Sequence, residues 1–170
     1  RGRKGCPLFL GRNACLNQEK RSTVKILVIC QHYWPEPYPL PDICEELVRR
    51  GHTVDLITDV PNYPMGITYP GYKNGARRRE EQNGVHITRT FTVARRHNAV
   101  FRLLNYYSYA LSSSWYARHL KKDYDVVFTN QSSPVMMSSA AFSYAKRHGK
   151  KVVMYCMDLW PACLAAGGIG

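Results

Sequence analysis

Four short segments hold most of the side chains in this sequence that could do chemistry. They are Gln31-His32-Tyr33-Trp34-Pro35-Glu36-Pro37, Asp59-Val60-Pro61-Asn62-Tyr63-Pro64, Asn130-Gln131-Ser132-Ser133-Pro134 and Met157-Asp158-Leu159-Trp160-Pro161. Each sets hydrogen-bonding groups beside proline, and most add an aromatic ring. Amide, hydroxyl and imidazole groups next to flat rings suit a sugar ring or a lipid-linked acceptor. The candidate substrate-binding residues are therefore His32, Trp34, Asn62, Tyr63, Asn130, Gln131, Ser132 and Trp160. The same residue types are ordinary turn chemistry, so the functional reading rests on four such loops sharing one rim. Arg95-Arg96 and Arg77-Arg78-Arg79 could hold phosphates. Charge runs are more often solvated surface, and Glu80-Glu81 partly neutralise the second run. Arg95 and Arg96 remain as candidate phosphate or membrane contacts.

Several chemistries lack their signature. No G-x-G-x-x-G follows the first strand and no G-x-x-x-x-G-K-[ST] occurs, which disfavours dinucleotide oxidoreductases and phosphate-loop NTPases. No H-E-x-x-H or comparable spacing points to a metal, and no G-x-S-x-G suggests a hydrolase elbow. Six cysteines are present, but none has CxxC or zinc spacing. Cys30 and Cys156 close apolar strands and Cys44 falls on a helix, so buried reduced thiols of a cytosolic protein are expected.

The elements that must position these loops alternate. Residues 24–30 (VKILVIC) predict a strand buried on both faces. Pro41, Asp42, Glu45 and Glu46 predict the start of a helix; Ile43, Cys44, Leu47 and Val48 form its apolar stripe, and Gly51 stops it. Residues 53–58 predict a second strand, making a βαβ unit and so a parallel sheet. Further strands are expected over 85–92, nearer an edge, over 125–129 and over 151–156. Helices are expected over 99–122, from Pro134 to His148, and from Pro161 to a stop at Gly167-Gly168. Residues 59–84 predict a long loop, ordered by Tyr63, Tyr69 and Tyr72. The fold class is α/β, a Rossmann-like doubly wound parallel sheet whose ligand site lies beyond the carboxyl ends of the strands.

With 170 residues, 45% of them apolar, the chain can bury one sizeable core. No apolar run approaches the roughly 20 residues of a membrane span. Residues 1–23 predict a flexible basic flank outside the fold, and residues 24–170 the domain. Net charge is +12; the flank holds six Lys/Arg against Glu19, which leaves +7 on the domain. Such charge attracts phosphates, anionic lipid or nucleic acid without choosing among them. Nucleic acid is disfavoured, since no recognised motif accompanies the charge. His52 follows the helix stop and reads as a turn residue.

From Val24 to Gly168 the chain resembles the N-terminal domain of family 4 glycosyltransferases, retaining enzymes of the GT-B fold. Within them it is most similar to those building bacterial capsular, exopolysaccharide, colanic-acid or O-antigen units. The segments that carry the resemblance are Lys25-Ile26-Leu27-Val28, Gly51-His52-x-Val54, Pro61-Asn62-Tyr63-Pro64-x-Gly66, Tyr69-Pro70-Gly71-Tyr72, Asn83-Gly84-Val85 and Asp158-Leu159-Trp160-Pro161. The Pro-Asn-Tyr-Pro and Asp-Leu-Trp-Pro segments are the specific ones. The resemblance implies the N-terminal half of a GT-B enzyme that holds the acceptor. A C-terminal donor domain would bind the nucleotide-sugar, with uridine diphosphate the expected carrier. It implies transfer with retention, no metal, no further cofactor, and a lipid-linked glycan acceptor. It also implies a cytoplasmic protein working on the inner face of the plasma membrane.

Two departures stand out. Many members carry a glycine pair in the loop after the first strand, where this chain has Glu36-Pro37-Tyr38-Pro39-Leu40 with few free amides. Many have a histidine after the fifth strand, where this chain has Met157 and then Asp158. Asp158 is the candidate catalytic residue, polarising the acceptor hydroxyl or orienting the sugar; as a plain structural residue it would cap the following helix. On the long helix, Val100, Leu103, Leu104, Tyr107, Leu111 and Trp115 recur at helical spacing. Arg102, Arg118, Lys121 and Lys122 flank an aromatic face that suits an anionic membrane, or else the stripe is core. The competing class is a non-catalytic glycan- or partner-binding module, or one half of a split enzyme.

Overall fold

The computed structural model describes residues 22–132 and 134–157. Asp158 and Trp160 lie outside the described residues. Nine elements follow one another: β1 (Lys25–Ile29), α1 (Leu40–Arg49), β2 (Thr53–Thr58), β3 (Arg79–Gln82), β4 (Val85–Arg89), α2 (Ala99–His119), β5 (Val126–Gln131), α3 (Ser139–His148) and β6 (Lys151–Cys156). The six strands form one sheet in the order β3-β4-β2-β1-β5-β6. Every neighbouring pair is parallel except β3 with β4.

Alternation along each strand divides the core in two. Ile26, Val28, Val54, Leu56, Val85 and Ile87 face α1, which supplies Leu40, Cys44, Leu47 and Val48. Leu27, Ile29, Ile57 and Val127 face the other way, onto Ala117 of α2 and Ala140, Ala141, Tyr144 and Ala145 of α3. The alanines let these helices lie close to the sheet. α1 has Pro41 in its first turn. It ends where Gly51 adopts φ +89°, and the Gly51 amide donates to Val48 O while the His52 amide donates to Leu47 O. That pair of bonds is the Schellman closure. His52 Nδ1 accepts from the Val24 amide at 3.3 Å, so this histidine ties the helix end to the start of β1.

Several expectations need revision: among them, the strand expected over 85–92 ends at Arg89, and Cys156, expected buried, is exposed. Residues 59–84 are not all loop, because β3 pairs antiparallel with β4 through Asn83 (φ 50°) and Gly84 (φ 81°), the positive-φ turn that Asn-Gly favours. β4 is therefore one strand in from the edge. The long helix stops at His119, and its apolar stripe is not core. Val100, Leu103, Leu104, Tyr107, Leu111 and Trp115 are exposed, whereas Asn105, Tyr109, Ala110, Ser113 and Ala117 are buried. Small residues permit close packing, so they took the inner face. The expected ordering of the 59–78 segment by tyrosines is visible: Tyr72 is buried and the Tyr69 hydroxyl donates to Tyr63 O at 2.8 Å.

Candidate functional site

The strand order reverses between β1 and β5: the chain runs outward through β2 and β4 on one side and through β5 and β6 on the other. In an open α/β sheet that switch point opens a crevice at the carboxyl ends. The first two segments singled out by sequence leave β1 and β2 there, and Asn130 and Gln131 end β5.

Past β1 the chain is fixed at Gln31, whose carbonyl accepts from the Asp59 amide (3.2 Å) and the Thr58 hydroxyl (2.8 Å). Gln31 Nε2 donates to Asn105 Oδ1 at 2.7 Å, linking the loop to α2. The loop then folds around one carboxylate. Glu36 Oε1 accepts from the amides of Asn62 and Tyr63, at 2.6 and 2.7 Å. Glu36 Oε2 lies 2.7 Å from His32 Nδ1. A carboxylate only accepts, so this nitrogen donates, and in the neutral ring Nε2 is left as the acceptor. His32 stacks on Tyr38 with centroids 4.9 Å apart and meets Tyr63 at 5.4 Å. Trp34, by contrast, points outward, 44% exposed.

Asn62 is buried and fully engaged. Its Nδ2 donates to Asp59 Oδ2 (3.1 Å) and Val60 O (2.8 Å), and its Oδ1 accepts from the Arg95 amide (3.0 Å) and Asn105 Nδ2 (3.4 Å). It positions the rim and offers no free group. The Arg95 guanidinium lies over the rings of Tyr106 (5.4 Å) and Tyr63 (6.0 Å), and that of Arg96 over Phe101 (4.7 Å). On β5, Gln131 Oε1 accepts from Cys156 Sγ, Asn130 Oδ1 is buried without a partner, and Ser132 is half-buried. His32, Asn62 and Tyr63 thus meet in one aromatic and hydrogen-bonded cluster, and Arg95 closes its side. Asn130 and Gln131 sit across the switch point at the end of the neighbouring strand, with Ser132 just past it.

Asp59 is buried beside Glu36, and one of its oxygens meets no partner. Burial first, and the Glu36 charge second, push its carboxyl well above the usual carboxylate range. Burial also pushes the Tyr38 phenol up to about 12, with Tyr63 and Glu36 adding to the effect. Ligand atoms of His32, Glu36 and Asp59 lie within 4.8 Å of one another. Both Glu36 oxygens already accept hydrogen bonds, so the group reads as a polar network that holds the rim and leaves one Asp59 oxygen unpartnered.

Sequence reasoning missed four residues that build this site: Glu36, Tyr38, Arg89 and Asn105. Arg89 is buried, and its guanidinium donates to Glu80 Oε1 (2.5 Å), Trp34 O (2.6 Å) and Asp59 O (3.1 Å), joining strand β3 to the loops after β1 and β2. Its signal was phase: Val85, Ile87 and Arg89 share one face of a strand, so the arginine had to be buried and partnered. Asn105 likewise shares the inner face of α2 with Tyr109.

The domain is thus a Rossmann-like, mainly parallel sheet with its polar rim at the switch point. The sequence profile of the glycosyl transferase 4-like domain matches residues 40–168, and the chain belongs to that family. It carries a glycosyltransferase domain. The loop from His32 to Glu36 lies before the matched span. Among solved structures, CalG4, the calicheamicin glycosyltransferase, is similar at TM-score 0.54 and 17% identity, over 86% of this chain and 38% of that one. Two structures of the C-terminal domain of a hydrogenase from Pyrococcus furiosus are similar at TM-scores of 0.50 and 0.51 and 19% identity. They cover 90% and 91% of this chain and 98% and 100% of theirs. At such identities the likeness is one of fold. No curated protein sequence matches the chain.

Proposed function

We propose that this domain is the acceptor side of a retaining glycosyltransferase. In this reading it takes a hexosyl or N-acetylhexosaminyl group from a nucleotide-sugar, uridine-diphosphate-linked, to a lipid-linked glycan in bacterial cell-surface polysaccharide synthesis. A second domain, on the same or a separate chain, supplies the donor site. The observation that carries the reading is the switch-point rim. There a stacked His32–Tyr38 pair, Tyr63 and an imidazole Nε2 acceptor stand together, as a sugar hydroxyl and ring require. Asp158, the proposed catalytic residue, follows β6, which pairs with β5 on the far side of that crevice. The protein works in the cytoplasm, on the inner membrane face. Among the described residues no helix is long and apolar enough to cross a membrane. The exposed apolar stripe of α2, flanked by Arg102 and Arg118, supports docking onto anionic lipid.

The test is transfer from a panel of uridine-diphosphate sugars to a polyprenyl-diphosphate-linked glycan, with the donor domain present and the product anomer read by NMR. Retention is expected, with undiminished rate in EDTA. Asp158→Asn and His32→Ala are each expected to lower kcat/KM by roughly tenfold or more, about one lost polar contact. Residues 1–170 alone are expected to transfer nothing. Clear transfer by residues 1–170 alone would sink the two-domain reading.

A further inference from the structure

The sheet is wider than the helix that covers it. Ala117 of α2 packs with Leu27, Ile29 and Ile57, over β1 and β2. On the same face of β4, His86 is exposed and Thr88 half-buried, and neither joins a core cluster. A groove is left between the β3–β4 hairpin and α2. Its middle, of about 320 Å³, is walled by Arg78, Arg79, Phe91, Trp115 and Tyr116. It shares Arg78 and Phe91 with a hollow of about 600 Å³ that reaches Lys73 and Arg96. Both volumes fall in the roughly 300–1,000 Å³ range of small-molecule sites.

Charge and apolar surface are arranged unevenly in this groove. Among the described residues Lys73, Arg78, Arg79 and Arg96 have no ion-pair partner, because Glu80 is taken by Arg89, and Asp55 by Lys122 and His86. Gly75 leaves room for the Arg78 guanidinium: a Cβ there would stand 2.9 Å from Arg78 Nε. The aromatic wall is open, with Phe91 61% and Trp115 66% exposed. From Trp115 it runs without a break onto Leu111, Tyr107 and Leu104, the outward stripe of α2. A free phosphate would use the arginines and leave the rings bare; a neutral lipid would do the reverse.

We propose that this groove binds a single lipid phosphate. Arg78 and Arg79 hold the phosphate, and the hydrocarbon passes Phe91 and Trp115 toward the α2 stripe. The site deepens the lipid-linked reading of the acceptor and rests on that reading for its place in the reaction. The binding itself is tested without any transfer. Farnesyl phosphate, kept below micelle formation, is titrated into the whole chain and followed by heteronuclear NMR. Saturable shifts are expected at the Trp115 indole and Phe91. The double variant Arg78→Gln, Arg79→Gln and the single variant Trp115→Ala are each expected to weaken binding at least tenfold while the remaining spectrum reports an intact fold. Farnesol and inorganic phosphate are each expected to bind at least tenfold more weakly than farnesyl phosphate. Lys146→Gln, on α3 and outside the groove, is expected to bind like the parent. Equal binding of the double variant overturns the proposal, as does equal binding of inorganic phosphate, an equal loss in Lys146→Gln, or displacement by single-stranded DNA. Binding of farnesyl phosphate, with no glycosyl transfer even when a donor domain is supplied, supports the site and counts against the transferase reading. Transfer to a lipid-linked acceptor without such binding overturns the site alone.

Discussion

Asp59 holds a carboxyl with one oxygen that meets nothing, and that makes its protonation a stability matter. Burial and the neighbouring Glu36 raise its folded-state pKa above the unfolded value of about 3.9. The folded protein therefore binds the proton more tightly. The contribution is fully present below about pH 4 and is lost as pH rises through the folded value. Asp59→Asn keeps an oxygen for Asn62 Nδ2 and carries no charge. It is expected to stabilise the protein by about 1–3 kcal/mol at pH 8, the scale of an unsatisfied buried polar group. The gain should vanish near pH 4. Urea unfolding at the two pH values decides; a destabilised variant at pH 8 would mean that the carboxylate is held ionised by Arg89. Glu36→Gln turns an amide donor toward either His32 Nδ1 or the two loop amides, so a loss of about 2 kcal/mol is expected. Chemical denaturation measures it, and the His32 ring-nitrogen shifts report the altered tautomer. His32 and Tyr63 could be read from sequence, because an imidazole or a phenol in a proline-rich loop is conspicuous. Glu36 could not, since acids in loops are ordinary and only the fold brings the Asn62 and Tyr63 amides to it from 26 and 27 residues away.

The hairpin and the helix end each turn on a glycine, and the two predict different costs. Gly51 has φ +89° with open space where a Cβ would go; Gly84 has φ +81° and a Cβ there would stand 2.7 Å from Val48 Cγ1. Gly51→Ala is expected to cost about 1 kcal/mol from backbone conformation alone. Gly84→Ala should cost more, because α1 must also shift. Adding Val48→Ala should recover part of the second loss and none of the first, which a double-mutant cycle reads directly. At this scale the sequence was informative about periodicity and weaker about direction. The βαβ start, the helix stop and the alternation of elements follow from local pattern. β3 was hidden because Arg79-Glu80-Glu81-Gln82 has no apolar face to announce a strand, although Asn83-Gly84 marked its turn. The stripe of α2 was visible, but its facing depended on which side the sheet could approach more closely, a tertiary matter.

At the level of the whole molecule the proposed membrane face joins the charge to the outward stripe of α2. Leu104→Ser with Leu111→Ser, two exposed positions, is expected to reduce cosedimentation with anionic vesicles while leaving thermal stability nearly unchanged. Raising salt should weaken binding of the parent, with each basic residue near the surface worth about 1 kcal/mol at low ionic strength. Retained vesicle binding by the double variant would remove the stripe from the account. The fold class was legible from element order, and the family from the resemblance carried by segments such as Pro61-Asn62-Tyr63-Pro64; which surface a membrane would meet was not, because it required knowing which half of α2 the core leaves out. The sheet's margins carry a last consequence. On one side β3 presents Arg79, Glu80 and Glu81 and runs against its neighbours; on the other, β6 is Lys-Val-Val-Met-Tyr-Cys, parallel and largely exposed among the described residues. Charged, reversed margins resist strand addition, whereas flat apolar ones invite it. Self-association of this domain should therefore begin at β6, and a lysine placed at Val153 should raise the concentration at which the protein stays dispersed.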